Sequence, residues 1–176
     1  MNKQLLTGAT AVLLLAASCT QSNEQKITKR WQQESIRNPM MEQIIQEQQA
    51  FIDTLGANTT PAENDSLYGI RNIDSLKDAL RQEIATFKKE QERVVKNTWF
   101  DFRKDGVLIL NTDQIIDSAS WYLEDDGHTL VLDEMKLKGS GDQVRMEVIT
   151  LTNDKLQLKF MQGQDTSTVT FKPAKQ

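Results

Sequence analysis

"SWYLEDDGHTLVL", Ser120 to Leu132, decides the fold. Ala119, Trp121 and Leu123 fall on one face of an alternating run, and Leu130 and Leu132 answer them after Asp126-Gly127. Asp-Gly between alternating apolar runs marks a hairpin, because a tight two-strand turn needs positive φ and glycine supplies it without a steric penalty. Upstream, "NTWFDFRKDGVLIL" repeats the pattern: Phe100 and Phe102 share a face, Lys104-Asp105-Gly106 turns, and Leu108 and Leu110 return. Downstream, the hairpin is read to continue through Leu137, with "KGSGD" (Lys138 to Asp142) as the next connection. Val144, Met146 and Val148 then alternate with Arg145 and Glu147. Asn153-Asp154 leads into Leu156, Leu158 and Phe160, and a last strand carries Val169 and Phe171 before Pro173 ends it.

With "ITKRWQQESI", Ile27 to Ile36, as the first strand, the spacing predicts eight strands, seven of them consecutive hairpin neighbours. Such a series closes into an antiparallel up-and-down barrel, which removes exposed edges. Its inner face is apolar and its outer face charged.

Between the first two strands, over residues 38–95, the period changes to that of helices. Asn38-Pro39 reads as cap and first helical residue, followed by Met41, Ile44, Ile45, Ile52 and Leu55 at helical spacing, with Gly56 as the stop. A loop "ANTTPAENDSLYG" is expected next. A second helix opens at Asp74 or Ser75, with Asp78 completing a capping box, and carries Leu76, Leu80, Ile84, Phe87 and Val94.

These hairpins resemble the lipocalin-like domains of bacterial lipoproteins. The residues that carry the likeness are Trp31 in the first strand, "WFDFRKDG" (Trp99 to Gly106), "SWYLEDDGHTLVL" and "ITLTNDKLQLKF" (Ile149 to Phe160). The resemblance covers residues 27–36 and 97–173. It implies a lipocalin-like barrel and a surface location, and it implies no catalysis.

The N-terminus agrees. Lys3 precedes an apolar run from Leu5 to Ala17, too short for the ~20 residues of a membrane-spanning helix but suited to a secretory signal. Ala16, Ala17 and Ser18 stand before Cys19, the single cysteine, in an arrangement that resembles a lipobox. That resemblance implies removal of residues 1–18 and lipidation of Cys19. The expected division is a signal peptide (1–18), a flexible tether (19–26) and a barrel domain (27–176). Two acyl chains, at ~0.8 kcal/mol per buried CH2, anchor a protein stably. An outer-membrane lipoprotein is the expectation, and the lone acid Glu24 after Cys19 leans toward the periplasmic face.

The chain has 21 basic and 25 acidic residues and a net charge of −4, with no basic stripe to suggest nucleic acid. His128 is the only histidine, so a Ser-His-Asp or Cys-His site would have to use it, and histidine–cysteine zinc sites are excluded. Its place after a hairpin turn reads as a solvated tip, as do the acids Glu124, Asp125 and Asp126, whose spacing is not that of a calcium loop. No Gly-rich phosphate loop is present. No catalytic residue, cofactor or metal is therefore expected.

The pocket, if the barrel holds one, is predicted among Trp31, Phe100, Phe102, Leu110, Trp121, Leu132, Met146, Leu158, Phe160 and Phe171, with Val144 and Val169 on the same inner face. The scarcity of polar groups there favours a solidly filled barrel over a calyx for a small apolar ligand. The alternative is a protein partner bound through the helical segment 38–95, with Phe51, Ile52, Phe87 and Val94 as the residues whose exposure decides. Asp-Ser/Thr-apolar triplets resemble bacterial O-glycosylation acceptors, with Ser66, Ser75 and Ser118 as candidates and Thr54 the least accessible.

Overall fold

Where the sequence places Asp-Gly turns, the chain reverses: Gly106 has φ 80°, and Asp125, Asp126 and Gly127 have φ 52°, 54° and 90°. The computed structural model describes residues 21–163 and 165–175. The strands are β1 (Arg30–Arg37), β2 (Trp99–Phe102), β3 (Val107–Thr112), β4 (Ile115–Glu124), β5 (Thr129–Asp133), β6 (Gln143–Leu151), β7 (Leu156–Gln162) and β8 (Asp165–Pro173). Each pairs antiparallel with its neighbour in sequence, and β1 pairs with both β2 and β8, so the barrel is closed. The predicted eight-stranded up-and-down barrel, with helices between the first two strands, is the observed fold.

Five segments depart from expectation. Residues 23–27, placed in the tether and the start of the first strand, form α1 (Asn23–Ile27). Ser22 and Gln25 make a reciprocal capping box, and Ile27 is fully buried at its far end. The expected loop after Gly56 contains α3 (Pro61–Tyr68), for which Thr60 and Glu63 form the same box with Pro61 in the first turn. It lies between α2 (Pro39–Thr54) and α4 (Ile73–Asn97), so the insertion holds three helices rather than two. α4 starts ahead of Ser75 because the Asn72 side chain accepts the Asp74 N–H. The strand read through Leu137 ends at Asp133, which caps α5 (Glu134–Lys138) before Gly139 turns it off at φ 75°. Finally Val144, predicted inside, is 40% exposed, because it stands at the rim where β6 begins.

Along the barrel axis the two ends differ. α1 plugs the end where Trp31, Phe102, Leu108, Leu130, Leu156, Leu158 and Phe171 are essentially fully buried. Trp31 Nε1–H donates to the Ile27 carbonyl at 2.8 Å, which satisfies the one polar atom of this buried ring. Phe102 and Trp121 meet edge to face with centroids 5.4 Å apart. Each large side chain buried here contributes about 1.5–3 kcal/mol. Outer faces carry ion pairs such as Lys159–Glu147 at 3.1 Å and Lys172–Glu34 at 3.2 Å, the reverse of the apolar belt of a membrane barrel. Among the described residues no helix is long and apolar enough to cross a membrane.

Candidate ligand pocket at the barrel mouth

The opposite end is covered by α4. Its residues Phe87, Gln91, Val94 and Val95 face the inward side chains of Gln33, Ile36, Phe100, Thr112, Met146, Phe160 and Val169. Between them lies a cavity of about 450 Å³, within the range of small-molecule sites. The barrel is thus filled below and hollow above.

Polar contacts fix α4 at its C-terminal end. Asp113, in the β3–β4 turn with φ 51°, accepts from Arg93 and, at 3.0 Å, from Asn97 Nδ2. The Asn97 hydrogen bond and then the Arg93 contact hold the Asp113 carboxyl below the usual carboxylate range. Glu90 and then Asp113 raise the Arg93 guanidinium further. Gln32 Nε2 donates to the Thr98 carbonyl at 2.8 Å, and Asn111 Nδ2 donates to the Asn97 carbonyl at 2.8 Å. α2 starts from the rim too: Asn38 Oδ1 accepts from Met41 N–H, and its Nδ2 donates to Ser167 Oγ at 3.1 Å.

The lining is apolar apart from a few groups. Thr98 is buried, and its hydroxyl donates to the Val94 carbonyl at 2.8 Å. Glu90 pairs with Arg93 at 2.7 Å. Gln33 differs: it is only 8% exposed, and its side-chain amide has no hydrogen-bond partner among the described residues. A second groove of about 370 Å³ runs between α2 and α4, lined by Met41, Ile44, Ile45, Phe51, Ile84 and others. Phe87 borders both. A larger depression of about 860 Å³ beside α1 is open and bordered by Gln21, Glu24, Gln25, Thr28 and Lys104, so it encloses little.

Of the predicted pocket residues, Phe100, Met146 and Phe160 line the mouth cavity, as does Val169. Trp31, Phe102, Trp121, Leu132, Leu158 and Phe171 belong to the packed core instead, and Leu110 packs against it. Sequence reasoning missed Gln33, because a glutamine in an irregularly alternating strand has no signal of its own. The β-bulge between Gln33 and Ser35 is what resets the inward register to Ile36. It also missed Val95 and Gln91, since which side of a helix meets a barrel mouth is a tertiary fact.

His128 is exposed at its hairpin tip, with its amide donating to the Asp125 carbonyl at 3.1 Å. The neighbouring acids do not converge: Glu124 pairs with Arg145, and Asp125 Oδ2 accepts from Thr129 at 2.8 Å. Elsewhere Asp117 is held low chiefly by Lys138, and Glu63 by the Thr60 backbone N–H. Both are surface contacts rather than a catalytic pair. On the helices, Phe51 and Phe87 are exposed while Ile52 is buried and Val94 half-buried, so these four form no single solvent-facing patch. Ser66 and Ser75 are exposed on α3 and α4, Ser118 is half-buried on β4, and the Thr54 hydroxyl donates to the Ala50 carbonyl. Cys19 and the signal segment lie outside the described residues.

Comparison with known proteins adds little to this geometry. No protein-family model matches the chain, and no curated protein does. A solved structure of a DUF4847 family protein from Bacteroides vulgatus is similar over 85% of this chain and 94% of its own, with 10% identity and a TM-score of 0.45.

Proposed function

We propose that this chain is an exported lipoprotein, anchored through acylated Cys19, whose barrel is a non-catalytic binding module for a small apolar ligand. The observation that carries the binding part is the half-open apolar cavity of about 450 Å³ between α4 and the barrel mouth. Apolar surface left unfilled at this scale gains free energy when a ligand displaces water, at about 25 cal/mol per Å² of area covered. A charged outer wall and a packed lower barrel confine that opportunity to one end. The anchoring part rests on the run of small residues before Cys19. α1, a few residues further on, lies at the closed end, which directs the mouth away from the anchoring membrane.

Native mass spectrometry of the full-length chain, purified from bacterial membranes, tests both parts. The expected spectrum shows a mature chain beginning at Cys19 with acyl mass, plus a co-purifying small molecule lost on activation. An unmodified N-terminus overturns the anchor. Absence of added mass, together with no uptake of an uncharged apolar dye, overturns the binding role. The same spectrum reports glycan mass, expected at exposed Ser66 or Ser75 before half-buried Ser118.

A further inference from the structure

We infer that the occupant of the mouth cavity is an elongated amphiphile with an uncharged hydrogen-bonding head, which is seated on Gln33 while its tail leaves past Phe87 into the groove between α2 and α4. The inference rests on the apolar-ligand reading above and adds the chemistry of both ends.

Gln33 supplies the head site. It is more than nine-tenths buried, borders the cavity, and offers an amide N–H and carbonyl with no protein partner among the described residues. Among the described residues the one fully buried side-chain polar atom without a partner is Asn111 Oδ1, so the Gln33 amide keeps access to the cavity and is free to pair with a head group that enters it. Being neutral, an amide pairs with a hydroxyl, ester or amide head and does nothing to neutralise an ionic one. The surroundings select in the same direction. Neither the cavity nor the groove is bordered by any Lys or Arg, so a carboxylate or phosphate head would be buried without a counter-charge. Of the bordering acids, Glu90 is already engaged by Arg93 at the cavity rim. Glu83 borders the groove and not the cavity, which leaves no counter-charge beside Gln33 for a cationic head.

The tail path follows from continuity. Cavity and groove, about 450 and 370 Å³, share Phe87, which is 38% exposed, and the groove beyond it is walled by Ile44, Ile45 and Ile84. One chain lying through both covers apolar surface that neither compartment's own side chains cover.

The test is displacement of N-phenyl-1-naphthylamine, an uncharged fluorescent probe, from the full-length protein at pH 8. The competitors are 1-dodecanol, dodecanoate and dodecylamine. The expected result is displacement by dodecanol at about tenfold lower concentration than by either charged analogue, whose head finds no counter-charge beside Gln33. Gln33→Leu retains probe binding and raises the dodecanol concentration needed for displacement about tenfold, the scale of one hydrogen bond; Gln33→Met serves as the second variant should the first melt early. Phe87→Glu lowers affinity for dodecanol more than for 1-octanol. Should the probe bind, and Met146→Trp block it, while charged and uncharged analogues compete equally or Gln33→Leu changes nothing, the head assignment is wrong and the pocket stands. Should the probe not bind the unaltered protein, the pocket reading itself falls.

Discussion

Trp31 closes the barrel because of what one indole can do at once. Its ring fills the bottom of the core, and its N–H reaches the Ile27 carbonyl, fastening α1 across the opening. Trp31→Phe keeps most of the apolar area but leaves the Ile27 carbonyl with the Lys29 N–H as its remaining donor, so a loss of about 0.5–1.5 kcal/mol, that of one hydrogen bond, is expected in urea unfolding. Gly56 is another single-residue constraint. It takes φ +70°, and an added Cβ would stand 2.8 Å from Ile73 Cγ1. Gly56→Ala is therefore expected to lower stability by about 1–2 kcal/mol through left-handed strain alone, with the Ile73 clash adding to it, read by the same unfolding curve. At this scale the core was legible: alternation points Phe102, Trp121, Leu158 and Phe171 inward, the family resemblance points to Trp31, and all five are buried. Gln33 was not, since its inward position depends on a bulge that no pattern in the chain announces.

Among the elements, α4 matters most to the site, because it is the wall of the cavity that the barrel does not supply. Its C-terminal end is pinned to the β3–β4 turn by Arg93 and Asn97 on Asp113. Asp113→Ala is expected to speed amide hydrogen exchange over residues 87–97 severalfold while exchange in β7 and β8 stays slow. Acid should act in the same way. The folded-state Asp113 carboxyl titrates below its unfolded value of about 3.9, so its contribution is complete above that pH and is lost as pH falls through the lower folded value. Lower protection of α4, relative to the intrinsic exchange rate at each pH, below about pH 4, with no change in protection between pH 5 and 8, is the expected profile.

The two long helices were readable from periodicity, and so was the Asn38-Pro39 start of α2, whereas the short helices were not. Thr60-Pro61-Ala62-Glu63 carries a complete capping signal for α3, yet the Pro- and Asn-rich surroundings read as loop. Asp133 and Gly139 bracket α5 in the same way, but the alternation of Leu130 and Leu132 invited a longer strand. α1 is shorter still, and its Ser22–Gln25 capping box lies in a polar stretch that reads as tether.

For the whole molecule, closure of β1 onto β8 follows from eight strands in hairpin order, and that topology was legible from turn chemistry and alternation. How much of the interior would be filled was not, since a list of inward residues fixes their identity but not the space between them. The structure divides the answer along the axis: aromatic side chains pack the end beneath α1, while α4 bridges the other end over open space. A ligand that binds at the mouth should therefore leave the lower core untouched. Methyl chemical shifts followed by NMR, as N-phenyl-1-naphthylamine is added to the full-length protein, test that claim most directly. Saturable shifts at Ile36, Val94, Val95, Met146 and Val169, with Leu130, Leu156 and Leu158 unmoved, are the predicted result. Shifts that never saturate, or that gather around Ile27 and the α1 end, would contradict it.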